Sequence, residues 1–270
     1  MTGIENPGRI GVIGAGVMGE ALISALISAG VRPDAITVSE KREVRAKELI
    51  DIYGVQVAAL ASNVEASDVL LLVVKPQDME SLLNEIKSLV NSGKLIISFA
   101  AGKSIGFISA LLGANIPIIR VMPNTPTLVG EGMAAISVGP TVSIAQSQFV
   151  RDFLSATGRV VEVEEGLQDA VTSLSGSGPA YFFYFVESMI SAGIELGLTE
   201  AIATELTIQT MVGSAKLLST SDKSPSALRE NVTSPKGTTA AALASFSQSD
   251  LPAIVLKAMT AARDRSQELA

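Results

Sequence analysis

Short runs of apolar, β-branched residues recur through the first part of the chain, each followed by a stretch in which apolar residues return every three or four positions. The runs fall at residues 9–13, 35–39, 54–58, 68–74, 94–99 and 116–121, and helical patterns lie between most of them, at 20–29, 41–50, 78–90 and 104–112. Strand and helix alternating on this spacing builds βαβ units and predicts a mostly parallel, doubly wound sheet. Two further runs, 132–138 and 159–163, flank a helical stretch over 141–156 and extend the sheet at its edge. From Leu167 the alternation stops and long helical patterns take over, at 180–196, from 200 to about 218, and at 251–269. Gly197 ends the first of these and Thr199 caps the second. These helices carry apolar residues on more than one face, which calls for burial against a second subunit. The pattern therefore predicts an α/β domain over residues 1–165 and an all-helical dimerisation domain over 166–270.

Composition fits this division and narrows the chemistry. The chain has 270 residues, 47% of them hydrophobic and only 4% aromatic, so its core is built of Ala, Val, Ile and Leu, as a buried parallel sheet requires. A net charge of -7 argues against nucleic acid as a partner, because phosphate backbones need a concentrated basic face. The chain contains neither Cys nor His, which removes thiolate nucleophiles, imidazole bases, disulfides and Cys/His zinc sites, and no metal is expected. Catalysis is left to hydroxyls, carboxylates, lysines, backbone amides or a borrowed cofactor. The first residues lack the basic and apolar regions of an export signal, and no apolar run reaches the roughly 18 residues of a membrane span. A cytoplasmic protein without membrane contact is the expectation.

The first strand runs directly into Gly14-Ala15-Gly16-Val17-Met18-Gly19 and then a helix. In that context G-x-G-x-x-G is a dinucleotide-binding fingerprint: Gly14 permits the tight turn, Gly16 admits a pyrophosphate, Gly19 lets helix and strand pack closely, and the helix start at Val17 and Met18 faces the phosphates. The α/β domain is thus of Rossmann type. At the end of the second strand, Ser39, Lys41 and Arg42 suit the 2′-phosphate of NADPH, while Glu40 points to NADH, which stays possible. Ligands in such sheets bind beyond the carboxyl ends of the strands, which brings in Val73, Val74, Lys75 and Pro76 after the fourth strand and Ala100 and Ala101 after the fifth. Asn63, opening the helix after the third strand, either touches the cofactor or caps that helix. Near the C-terminus, Asn231-Val232-Thr233-Ser234-Pro235-Lys236-Gly237-Thr238-Thr239 interrupts the helices; Pro235 stops one, and Gly237-Thr238-Thr239 opens the next with free amides and hydroxyls that suit an anion. A plain helical corner in which Ser234 and Thr238 only cap is the other reading.

The combination of G-A-G-V-M-G at 14–19, V-V-K-P at 73–76, R-V-M-P-N-T-P at 120–126, S-G-S-G-P-A-Y at 175–181 and N-V-T-S-P-K-G-T-T at 231–239 resembles the pyrroline-5-carboxylate reductase family, in the same order along the whole chain. The resemblance implies an NAD(P)H-dependent imine reductase that converts 1-pyrroline-5-carboxylate to L-proline, the last step of proline biosynthesis. It implies that Asn231, Ser234 and the amides of Gly237 and Thr238 hold the substrate, and that the Thr239 hydroxyl meets the ring nitrogen and orients a proton there. The 122–126 and 175–178 segments would line the nicotinamide and substrate cleft. It also implies interlocked helical domains in a homodimer, often assembled further into a decamer. Lys236 departs from the pattern, where Gly is common: if that Gly serves a turn at positive φ, Lys236 is mildly strained there, and its side chain is either simply solvated, the preferred reading, or draws in the anionic substrate.

Two other readings share parts of this pattern. A β-hydroxyacid-dehydrogenase-like oxidoreductase shares the N-terminal pattern but places a catalytic lysine on the first long helix of its second domain, and this chain has no lysine between Lys103 and Lys216. A non-catalytic NADP-sensing regulator would bind the cofactor without a pocket for a small acid.

Overall fold

A computed structural model describes residues 8–269, and residues 1–7, read above for an export signal, lie outside them. Among the described residues, eight strands form one sheet in the order β3-β2-β1-β4-β5-β6-β7-β8. β1 (Ile10–Ile13), β2 (Ile36–Ser39), β3 (Gln56–Val57), β4 (Val69–Leu72), β5 (Leu95–Ser98) and β6 (Ile118–Met122) run parallel. The edge strands expected from the pattern are present: β7 (Gly132–Val138) returns antiparallel to β6, and β8 (Gly158–Glu162) pairs parallel to β7. β1, β4 and β5 are buried along their whole length, which is why they read as continuous apolar runs rather than alternating ones.

Helices α1 (Val17–Ser28), α2 (Glu43–Tyr53), α3 (Leu60–Ala66), α4 (Met79–Ile86), α5 (Ile105–Leu112) and α6 (Ile144–Ser155) connect the strands. Two apolar clusters fill the domain, one containing Leu22, Ile23, Val38 and Phe153, the other Leu72, Met79, Leu83 and Ile108. α3 begins at Leu60 with Ala59 as its cap residue, so Asn63 sits inside the helix and is not its N-cap. The cause is tertiary: its side chain is fully buried and donates to the Thr37 carbonyl at 3.2 Å and the Ser39 hydroxyl at 2.9 Å.

β1 and β4 are neighbours although β2 and β3 intervene in sequence, so the strand order reverses there, and in such a sheet that point opens the ligand crevice. The register brings the carboxyl ends together, with Ile13 beside Ser39 and Leu72, and Leu72 beside Ser98.

After a short helix α7 (Gln168–Val171) comes a π-helical turn, Thr172–Gly176, closed by the Ser177 amide donating to the Thr172 carbonyl at 2.8 Å. The remaining helices are α8 (Gly178–Glu195), α9 (Glu200–Thr220), α10 (Pro225–Asn231), α11 (Thr238–Gln248) and α12 (Leu251–Glu268). By contacts the chain divides into two units: residues up to Ser177 together with those from Ala262 onward, and Gly178–Ala261. Within the second unit α8 and α9 lie close enough at Gly193 that a methyl group there would be 3.2 Å from the Ala203 Cβ. No described helix is long and apolar enough to cross a membrane.

Candidate active site

In the first unit the fingerprint glycines divide the work as their positions require. Gly14 has φ +88°, and a methyl group on it would lie 2.8 Å from the Val73 carbonyl oxygen, so both the turn and the close approach of β4 exclude a side chain. A methyl group on Gly19 would collide with the Gly14 carbonyl, which is what lets α1 sit tight on the turn. Around Gly16, by contrast, nothing lies within 4 Å of such a methyl group, leaving open space at the start of α1. Gly16 is the cap residue and no side chain caps the helix. The first-turn amides of Val17 and Met18 are therefore available to an anion, with the helix dipole behind them.

At the end of β2 a carboxylate is fixed against this loop. Glu40 Oε2 accepts from the Ala15 amide at 3.2 Å, and Oε1 accepts from the Arg42 amide at 3.1 Å and from Arg42 Nε at 2.9 Å. The Arg42 guanidinium, aided by those two amides, holds the Glu40 carboxyl down at about 2 from its ordinary 4.5. Ala15 is gripped on its other side as well, because Arg45 Nε donates to its carbonyl at 3.2 Å while the same guanidinium pairs with Glu20 and Glu48. The Ser39 hydroxyl donates to the Ala58 carbonyl at 3.0 Å and accepts from Asn63. Lys41 is exposed to solvent.

The ends of β4, β5 and β6 complete this edge. The Val73 amide donates to the Ile13 carbonyl at 2.9 Å and the Phe99 amide to Leu72 at 3.0 Å, so Val73 and the residues just after β5 continue the sheet to its rim. Val74, Lys75, Pro76 and Ala101 stand at least partly open there, while Ala100 is buried. Beyond β6, Asn124 ties two segments: its Oδ1 accepts from the Met133 amide at 2.8 Å, and its Nδ2 donates to the Ser175 carbonyl at 3.3 Å. A methyl group on Gly176 would collide with Met122, so the π-turn presses onto the end of β6.

In the second unit, the interrupting loop is a tight corner. The Gly237 amide donates to the Ser234 carbonyl at 3.0 Å, with Pro235 and Lys236 between them. Lys236 has φ +60°; Pro at the second turn position and a positive φ at the third are the marks of a type II turn, which ordinarily takes Gly where Lys236 stands. Gly237 is then the cap residue of α11 and supplies no side-chain cap. The amides of the first turn, at Thr238 and Thr239, have no partner from the helix itself. Among the described residues the hydroxyls of Ser234, Thr238 and Thr239 bond to no protein group, whereas Thr233 Oγ1 donates to the Arg229 carbonyl at 2.6 Å and closes α10. Asn231 is the last residue of α10, exposed beside this corner.

The family profile described as "Pyrroline-5-carboxylate reductase dimerisation" matches residues 165–269, and one described as "NADP oxidoreductase coenzyme F420-dependent" matches residues 9–102. A pyrroline-5-carboxylate reductase from Corynebacterium melassecola is 41% identical over 96% of this chain and 98% of its own length. The chain belongs to the pyrroline-5-carboxylate reductase family. Among solved structures, a pyrroline-5-carboxylate reductase from Coxiella burnetii superposes with a TM-score of 0.90 at 33% identity, covering 98% of this chain and 99% of that one. A pyrroline carboxylate reductase from Plasmodium falciparum with NADP bound superposes with a TM-score of 0.88 at 31% identity, covering 99% of each chain.

As a member of the pyrroline-5-carboxylate reductase family, the chain also carries residues that sequence reasoning passed over. Ala15 is one, held at both its backbone groups although it lies between two noted glycines. Arg120 is another: it is 5% exposed on β6 and lies 3.6 Å from Glu165 and 3.7 Å from Asp169, with its Nε lacking a partner. A lone Arg in the apolar run I-I-R-V-M was the available signal, since a charge there needs counter-charges. Glu165 further accepts from the Ile105 amide at 2.6 Å, and Asp169 from the Ser266 hydroxyl at 2.7 Å.

Proposed function

We propose that this chain reduces the C=N bond of 1-pyrroline-5-carboxylate to give L-proline, with NADPH as hydride donor and NADH as the alternative donor to be tested. The observation that carries the reading is the start of α11, where uncapped amides and the unbonded Thr238 and Thr239 hydroxyls follow a tight turn that opens on the unbonded Ser234 hydroxyl. A small amino acid offers one carboxylate and one ring nitrogen, and this corner matches that pair of groups.

The dinucleotide fits the open space at Gly16 and the uncapped start of α1. Gly14, Gly16, Val17, Met18 and Gly19 would hold its pyrophosphate. Ser39, Lys41 and Arg42 would face the adenosine ribose, with Asn63 bracing Ser39 from beneath. Val73, Val74, Lys75, Pro76, Ala100 and Ala101 would line the rim on which the nicotinamide rests. When bound, the nicotinamide supplies the hydride; no protein group needs redox chemistry.

What the protein contributes is orientation and charge. Ser234 and the Thr238 amide hold the substrate carboxylate and so fix which face of the ring is presented; the Gly237 amide, expected to join them, is spent on the Ser234 carbonyl and shapes the turn instead. Asn231 flanks them. The Thr239 hydroxyl accepts from the protonated ring nitrogen and keeps that proton in place. An iminium is already electrophilic, so a site without His, Cys or metal suffices for the addition. The proton that ends on the product amine comes from water or from the iminium itself, because a threonine hydroxyl is too weak an acid to give one up alone.

The division of labour places the dinucleotide on residues 1–165 and substrate binding and dimerisation on 166–270. The homodimer builds further into a larger homo-oligomer such as a decamer, and the enzyme works in the cytoplasm. The test is an assay of cofactor oxidation with 1-pyrroline-5-carboxylate, run with NADPH and with NADH; oxidation of neither overturns the reading. Thr239→Ala should lose roughly a hundredfold in kcat, the low end for proton-handling groups, while NADPH affinity stays put. Unchanged kcat reduces Thr239 to a helix-start residue.

A further inference from the structure

The carboxyl end of β2 holds two opposite charges with unequal freedom. The Glu40 side chain is 8% exposed and anchored to backbone, through the Ala15 amide at 3.2 Å and the Arg42 amide at 3.1 Å. The Arg42 side chain is 65% exposed and reaches Glu40 from the solvent side, Nε to Oε1 at 2.9 Å and a terminal nitrogen to Oε2 at 3.2 Å. Lys41 is exposed to solvent, while Ser39 and Arg45 are committed elsewhere. Ser39 gives its proton to the Ala58 carbonyl, and Arg45 is held by Ala15, Glu20 and Glu48.

A carboxylate at the end of the second strand is the group that accepts from the free 2′-hydroxyl of a dinucleotide ribose, whereas a 2′-phosphate at the same place needs cations. Building on the reductase reading above, we infer that Glu40 determines how far this enzyme discriminates between NADH and NADPH, with Arg42 as the movable counter-charge. With NADH, Arg42 stays on Glu40, and the carboxylate takes the ribose hydroxyl. With NADPH, Arg42 turns to the phosphate, and Glu40 then faces that phosphate uncompensated. One fixed carboxylate thus opposes the preference that Lys41 and Arg42 would otherwise impose, a repulsive element within a binding site. Its charge persists at any working pH, since the same contacts keep its pKa near about 2.

The experiment measures the dissociation constants of NADPH and NADH by nicotinamide fluorescence on the intact protein, for the wild type, Glu40→Gln, Glu40→Asp and Arg42→Ala, with thermal melts to check folding. Glu40→Gln is expected to shift the affinity ratio towards NADPH by about tenfold, the size of one unit charge acting at partly solvated short range. Glu40→Asp keeps the ratio near the wild-type value, and Arg42→Ala shifts it towards NADH. If Glu40→Gln and Arg42→Ala each change both cofactors by one common factor, Glu40 only braces the loop and the inference is overturned. A wild-type protein that binds neither cofactor overturns the reductase reading together with this one, whereas binding of both with an unmoved ratio removes the inference alone.

Discussion

Lys236 accepts a backbone conformation that L side chains take at a cost. Its φ of +60° crowds Cβ against the following carbonyl, a penalty of about 1 kcal/mol at a single site. The type II turn over residues 234–237, which leads the chain from α10 into α11, needs that φ, so any L side chain there carries the strain. Lys236→Gly should therefore raise the unfolding free energy, by about 0.5 kcal/mol once the extra freedom of the unfolded glycine is subtracted. Chemical denaturation checks the sign. Glu40 provides a second residue-scale test. Its folded pKa of about 2 lies below its ordinary 4.5, so its stabilising effect is complete above the unfolded value and is lost as pH falls through the folded one. The wild type should exceed Glu40→Gln in stability by about 1 kcal/mol at pH 6, discounted for the water around Arg42, and that gap should close between pH 5 and about 2. A gap independent of pH would show that the pair does not titrate as its geometry implies.

At the scale of elements, β6 joins the sheet to the segments that follow it through Arg120. The strand is apolar except for this one buried guanidinium, which Glu165 and Asp169 neutralise from the turn before α7 and from α7 itself. Arg120→Ala leaves two partly buried carboxylates side by side and should cost about 3 kcal/mol, the low end for breaking a buried pair. Denaturant midpoints measure it, and a change under 1 kcal/mol would mean that water already serves those carboxylates. This network was not legible in the sequence, because nothing local says which distant acids meet a lone arginine. The strands and long helices were legible, since β1, β4 and β5 are buried on both faces and leave unbroken apolar runs. So were the glycines at 14, 16 and 19, whose separate duties follow from their spacing alone. Asn63 was misplaced because α3 starts without a capping side chain, and only the contacts to β2 reveal why Asn is there. At the end of β2, four adjacent polar residues of mixed sign left the cofactor ambiguous, and the pairing of two of them is tertiary information.

On the scale of the whole molecule, the second unit cannot bury its own apolar surface. Phe183 is 63% exposed and Tyr184 72% on α8, and Val212 and Leu218 on α9 are open as well. Contiguous aromatic exposure of this kind marks an interface, and the match of this segment to a dimerisation profile agrees. Phe183→Asp combined with Tyr184→Asp should convert the homo-oligomer to smaller species by light scattering; an unchanged mass would place the interface on other helices.

The chain does not leave its first unit for good at Ser177, since the last turns of α12 return to it. Ser266 donates to Asp169, and the Ser266 carbonyl stands 2.7 Å from where a side chain on Gly102, at φ +74°, would begin. The loop after β5 therefore rests on residues that sequence order assigns to the assembly half. Anyone who trims the chain back to Ala261, or crowds that end with a fused tag, removes a floor from under the loop after β5, the loop proposed above as part of the nucleotide rim. Such a variant would be expected to assemble and yet hold its dinucleotide loosely, a defect that a reading of the chain from one end to the other would attribute to the wrong domain.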